Sequence, residues 1–67
     1  MNITGVLTIE SYKKGIPYEA HINLKDIDVI RVGVFTNDRT TIVTYDGFEF
    51  YIRQPFNVVC RKIQRLL

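Results

Sequence analysis

The chain has 67 residues, 46% of them hydrophobic and 24% charged, and a formal net charge of +2. That is the length of one domain and the composition of a folded one. A lone cysteine and a lone histidine exclude an internal disulfide and a four-ligand zinc site, and no apolar run nears the ~20 residues that span a bilayer.

A domain this small buries only about 60% of the surface its unfolded chain exposes. With no staple, packing or self-association must supply the stability. The N-terminus has no basic stretch followed by an apolar one, so a cytoplasmic location is expected. The triplet Asn2-Ile3-Thr4 then has no meaning as a glycosylation acceptor.

From Ile3 to Tyr12, residues alternate with the period of a strand. Lys14-Gly15 signals a turn, and Ile16 to Lys25 alternates again. A two-residue turn pairs Lys13 with Ile16, Ser11 with Tyr18, Ile9 with Ala20 and Leu7 with Ile22. Both apolar sets then share one face. The same register opposes Glu10 and Glu19, which a longer loop or a bulge would relieve. Pro17 places a free edge near the turn.

Leu24 to Ile30 reads as a corner, with Leu24, Ile27 and Ile30 pointing one way. A third strand is expected from about Val29 to Phe35, and a fourth from Thr40 to Tyr45. Asp46-Gly47 is the strongest turn signal, and a fifth strand follows from Phe48 to Arg53. A two-residue turn there pairs Tyr45 with Phe48, Val43 with Phe50 and Thr41 with Ile52 as the core face. Ile42, Tyr51, Thr40, Thr44, Glu49 and Arg53 then face outward.

The last segment is an amphipathic helix. Pro55 fits its first position with Gln54 as cap, and Phe56, Val59, Cys60, Ile63, Leu66 and Leu67 form its apolar stripe. That stripe needs the apolar face of the sheet. The expected class is α+β: a five-stranded antiparallel meander with one C-terminal helix packed on it, in a single domain over residues 1–67. A sheet curled into a small barrel is the alternative.

The chain offers few parts for an enzyme. His21 falls on a polar strand face and Cys60 on the buried helix stripe, too far apart in role to form a nucleophile–base pair. Asp26 and Asp28 solvate a bend, and no glycine-bearing metal loop follows them. The four glycines are scattered and form no phosphate loop. Neither metal nor cofactor is expected.

Two surfaces remain. Arg53, Arg61, Lys62 and Arg65 give the segment after Ile52 a charge of +4 against −2 for the rest. They are candidate phosphate contacts, or a solvated face favouring the helix C-terminus. Ile42 and Tyr51, with Val6, Tyr12, Val29 and Phe35, form an unusually apolar outer sheet face, a candidate partner surface.

The run Ile22-Asn-Leu24-Lys-Asp26-Ile27-Asp-Val-Ile30, then Thr41-Ile-Val-Thr-Tyr-Asp46-Gly47-Phe-Glu-Phe50 and an apolar-periodic helix, resembles the small flagellar accessory proteins called FlbD or SwrD. It is also similar to the first half of the LytTR DNA-binding domain. The flagellar family opens with a shorter hairpin, and the Arg- and His-rich strand with which LytTR contacts DNA has no counterpart up to Leu67. The resemblance therefore implies a hairpin-and-helix fold and assigns no site residues. The functional expectation is a small non-enzymatic protein-interaction module, an accessory, regulator or inhibitor of a size that suits a phage-encoded protein. It would bind another protein and itself. The alternative is a nucleic-acid binder using the basic helix face.

Overall fold

The computed structural model describes residues 4–33 and 38–67. It contains β1 (Val6–Lys13), β2 (Ile16–Asn23), a 3-10 turn at Leu24–Asp26, β3 (Ile27–Val32), β4 (Thr40–Thr44), β5 (Glu49–Ile52) and α1 (Phe56–Gln64). The strands form one antiparallel sheet in the order β2-β1-β5-β4-β3, so the α+β class read from the sequence stands. Among the described residues no helix is long and apolar enough to cross a membrane.

The first hairpin has the expected register throughout, from Lys13 opposite Ile16 to Leu7 opposite Ile22. Lys14 and Gly15 both have positive φ, 52° and 79°, which makes a two-residue type I′ turn. No bulge separates Glu10 from Glu19. Each acid instead has its own partner: Tyr12 donates to Glu10 at 2.8 Å, and His21 lies 3.4 Å from Glu19. Pro17 does sit on an edge strand, where its missing N–H breaks no ladder.

The second hairpin departs from expectation by one residue. Thr40 pairs with Ile52, Thr41 with Tyr51, Ile42 with Phe50 and Val43 with Glu49. The loop is Tyr45-Asp46-Gly47. Gly47 donates to the Thr44 carbonyl at 2.9 Å, and Thr44 donates to the Phe48 carbonyl at 3.0 Å. Of the loop residues only Gly47 has positive φ, at 87°. This is a type I turn closed by a glycine in the left-handed region, not the two-residue type I′ turn. Asp46 Oδ1 fixes it by accepting from the Thr44 hydroxyl and from the Phe48 N–H.

A one-residue slip turns every side chain of a strand over. Thr40, Ile42 and Thr44 therefore point inward and are buried, while Thr41 and Val43 face out and Tyr45 is 73% exposed. Ile42 is fully buried, which corrects its expected outward placement. The inward hydroxyls are satisfied: Thr40 donates to the Gln54 carbonyl at 2.8 Å, and Ser11, also buried, donates to the Tyr51 carbonyl at 3.1 Å. No buried side-chain donor or acceptor lacks a partner among the described residues.

The core unites Leu7, Ile9, Ala20, Ile22, Leu24, Ile42, Ile52 and Val59. Val59 is the fully buried residue of α1, while Phe56, Cys60 and Ile63 are half-buried and Leu66 and Leu67 exposed. The helix begins one position later than expected. Pro55 is the cap, in extended conformation, and its carbonyl takes the Val58 and Val59 N–H groups at 3.1 Å each. Gln54 instead anchors the approach to the helix, accepting from Thr40 through its backbone and from Lys62 Nζ at 2.9 Å through its side chain.

The edges β2 and β3 are joined by only the three residues of the 3-10 turn. Such a turn advances the chain about 6 Å. The sheet must curl until its two edges approach each other at this corner. Leu24 donates to the Gly5 carbonyl and Tyr45 to the Asp26 carbonyl, both at 3.0 Å, which ties the corner to both halves of the sheet. Gly5 leaves room for it: a Cβ there would lie 2.9 Å from Leu24 Cδ1 and 3.2 Å from the Leu66 carbonyl.

The register has a direct consequence for stability. Ile42→Ala should cost about 2–5 kcal/mol in denaturant unfolding, much of the ~3–10 kcal/mol expected for a chain of this length. Val43→Ala, on the other face of the same strand, should cost well under half as much. Comparable losses at the two positions would contradict the slipped register. Gly5→Ala should lower the unfolding midpoint as well, by overpacking the contact between the corner and the end of the helix.

Candidate functional site

Residues directly opposite each other share a sheet face. Arg31, Thr41, Tyr51 and Tyr12 therefore form one row across the outer face, running from β3 to β1. Tyr12 and Tyr51 make the pairing that joins β1 to β5. Val29, Val43 and Glu49 form the next row.

Both phenols are held from their own strands. The Tyr12 hydroxyl donates to Glu10, and the Arg53 guanidinium lies 3.9 Å from the centre of the Tyr12 ring. The Tyr51 hydroxyl donates to Glu49 Oε2, while Arg31 Nη2 donates to Glu49 Oε1 at 2.8 Å. The hydrogen bond from Tyr51, then Arg31, holds the Glu49 carboxyl below its usual range. The hydrogen bond to Glu49 and its negative charge push the Tyr51 phenol up. Glu10 does the same to Tyr12, against a smaller opposing effect of Arg53.

Of the expected partner-binding residues, Tyr12 and Tyr51 come together here. Ile42 is in the core and takes no part in an outer surface. Val6 is exposed at the far end of β1, six residues from Tyr12, or about 20 Å along a strand. Phe35 lies outside the described residues.

The four cations of the C-terminal segment do not form one surface. Arg53 stacks on Tyr12 on the outer face, whereas α1 packs on the inner face. Lys62 is half-buried and bound to Gln54. Arg61 and Arg65 remain exposed on the helix. What the sequence concealed is a different basic group: Lys14, Arg39 and Arg53 line a groove of about 400 Å³ beside Tyr12 and Tyr51. Residues from a turn, a loop and a strand end meet there, and no local sequence pattern links them.

A larger cleft of about 500 Å³ lies between β2, the corner and the turn between β4 and β5. Tyr18, Tyr45, Phe48 and Phe50 line it together with Asp26 and Asp46. The slipped hairpin register and the corner create it, so sequence periodicity could not reveal it. His21 borders the same cleft, with Nδ1 at 3.1 Å from the Thr8 hydroxyl. Cys60 is half-buried on the helix and is not among the residues of that cleft. Among the described residues no group of three histidine, cysteine or acidic side chains is placed to hold a metal.

No family model matches the chain, and no curated protein or solved structure shows significant similarity to it. The likeness of residues 22 onward to the flagellar and LytTR families thus rests on sequence pattern alone.

The Tyr–Glu pairs predict the behaviour of the protein at both ends of the pH scale. A phenol whose pKa is raised above 10.0 in the fold contributes stability below its unfolded value and loses it as pH rises through the raised one. The Glu49 carboxyl, and Asp46 held down by Thr44 and Phe48, contribute stability above the usual carboxylate range that is lost as pH falls. In an alkaline titration followed by phenolate absorbance, Glu49→Gln should bring Tyr51 back toward its ordinary value and leave Tyr12 unmoved. An unchanged titration would show that the Tyr51–Glu49 contact does not persist in solution.

Proposed function

We propose that this protein is a non-enzymatic interaction module of the cytoplasm that docks on another protein, and on a second copy of itself, through its outer sheet face. The observation that carries this reading is the Tyr12–Tyr51 pair. Two partly exposed aromatic rings lie on adjacent strands, each fixed by a carboxylate and flanked by an arginine. Tyrosine and arginine are the side chains that most often dominate binding energy. Rings already fixed in place lose little rotational freedom on docking. Val29 and Val43 add apolar area in the next row.

The length of the chain supports the same reading, since a domain of this size without staples gains stability by burying such a face. Sedimentation at micromolar concentration should show a dimer or larger species. Tyr51→Glu should shift it toward monomer, because it places a second carboxylate beside Glu49 in the contact. A wild-type monomer at high concentration would count against self-docking.

A second reading is favoured by one specific observation. The groove lined by Lys14, Arg39 and Arg53 next to two tyrosines combines the cations and stacking rings used to hold single-stranded nucleic acid. In this reading the binding surface moves from the helix to the groove. Arg39→Ala with Arg53→Ala should then weaken oligonucleotide binding and flatten its salt dependence, while Arg61→Ala with Arg65→Ala should not. The glutamates Glu10 and Glu49 on the same face oppose phosphate, and protein docking is the favoured outcome. Tight oligonucleotide binding at physiological salt would reverse that preference.

A further inference from the structure

The proposed docking face leaves the cleft of about 500 Å³ unused. The cleft beside the corner has aromatic walls drawn from β2, from β5 and from the turn between β4 and β5. Tyr18 and Phe50 form its floor, half-buried against the core. Phe48 meets Phe50 with ring centres 4.7 Å apart and planes tilted by 54°, which makes a two-sided corner. Tyr45 is 73% and Phe48 48% exposed at the rim. Turn positions are ordinarily filled by small polar residues, and nothing in the turn itself calls for two large rings.

The charge of the cleft is one-sided. Asp26 and Asp46 line it together with His21, and no lysine or arginine does. Neither carboxylate has an ion-pair partner among the described residues. Asp46 is also fixed in orientation, because Thr44 and Phe48 both bond its Oδ1. Aromatic faces are themselves negative, so rings and carboxylates add to the same potential.

We propose that this cleft binds an arginine side chain of a partner polypeptide. A guanidinium is flat, weakly hydrated and permanently charged, and it stacks on rings while donating to carboxylates along its edge. A lysine ammonium holds its water more strongly and has no plane to stack. A neutral apolar group would leave both carboxylates facing it without a counter-charge. An anion is repelled. The source is a polypeptide because β2, which gives Tyr18 and Ile22 to the cleft, is a sheet edge with unpaired backbone groups alongside. A chain segment laid there can pair with an edge and drop one side chain into the cleft.

The site is separate from the Tyr12–Tyr51 face, so the two proposals fail independently. The test is a titration of the isotope-labelled whole protein with three short acetylated Gly/Ser peptides, identical except for one central arginine, citrulline or lysine. Citrulline keeps the shape and removes the charge. Amide shifts should concentrate at Tyr18, Tyr45, Asp46 and Phe48. Binding of the arginine peptide should be about tenfold tighter than that of the citrulline peptide, and tighter than that of the lysine peptide. Tyr45→Ala should lose most of this preference. Asp26→Asn with Asp46→Asn should do the same while keeping the oxygen that Thr44 and Phe48 bond, and the amide spectrum reports that the fold survives. Arg65→Ala, exposed at the end of the helix and outside the cleft, should leave the titration unchanged. Equal binding of arginine and citrulline peptides, shifts centred elsewhere, or no saturable shift at millimolar peptide would each overturn the proposal.

Discussion

Much of this structure depends on one backbone conformation, the left-handed Gly47 that closes the turn between β4 and β5. An Asp-Gly pair suits two hairpins: a two-residue type I′ loop, or a three-residue loop in which only the glycine has positive φ. The chain takes the second. Asp46 accepts from a hydroxyl on one side of the turn and from an amide on the other, and Gly47 supplies the φ that a side chain would resist. From that choice follows the register of two strands, the burial of Ile42, and the release of Tyr45 and Phe48 to the rim of a cleft.

The core tolerates this register because its polar members are paired. Thr40, Thr44 and Ser11 face inward where an apolar strand pattern would put valine or isoleucine. Each hydroxyl finds an acceptor: the Gln54 carbonyl, the Asp46 carboxylate and the Tyr51 carbonyl. An unpaired hydroxyl would cost about 1–3 kcal/mol, enough to favour the other register. The Thr40 bond also carries structure forward. By holding the Gln54 carbonyl it sets the point from which Pro55 turns the chain into the helix, whose Val59 then seals the core.

The corner at Leu24–Asp26 is the second constraint. It joins the two outermost strands by a connection too short to cross a flat sheet. Curling is the only geometry that allows it, and Gly5 provides the close approach that the curled form needs. Beside this corner, β2 and the turn between β4 and β5 enclose an aromatic cleft with two carboxylates. The outer face lies on the other side of the same sheet. One small chain thus presents two chemically different surfaces: tyrosines and arginines with glutamates on one, and aromatic rings with aspartates and no lysine or arginine at the other.

The sequence alone determined whatever depends on neighbours along the chain. Alternation marked the strands, though β3 begins at Ile27 inside the expected corner; Lys14-Gly15 placed the first hairpin to the residue, Pro17 marked an edge, and the apolar stripe marked the helix, of which Leu66 and Leu67 proved exposed. Tertiary structure decided what depends on competition between local options of similar energy. Asp46-Gly47 permits two turns, and the choice lay with hydroxyl partners distant in sequence, such as Gln54 for Thr40. That choice moved Ile42 from candidate surface to core and left Tyr51 and Tyr12 as the centre of the outer face. The basic cluster read from Arg53, Arg61, Lys62 and Arg65 divided because Arg53 belongs to a strand end and the others to a helix on the opposite side of the sheet. The groove and the cleft were invisible for the same reason: each gathers residues from separate turns and strands, and only a curled sheet brings them together.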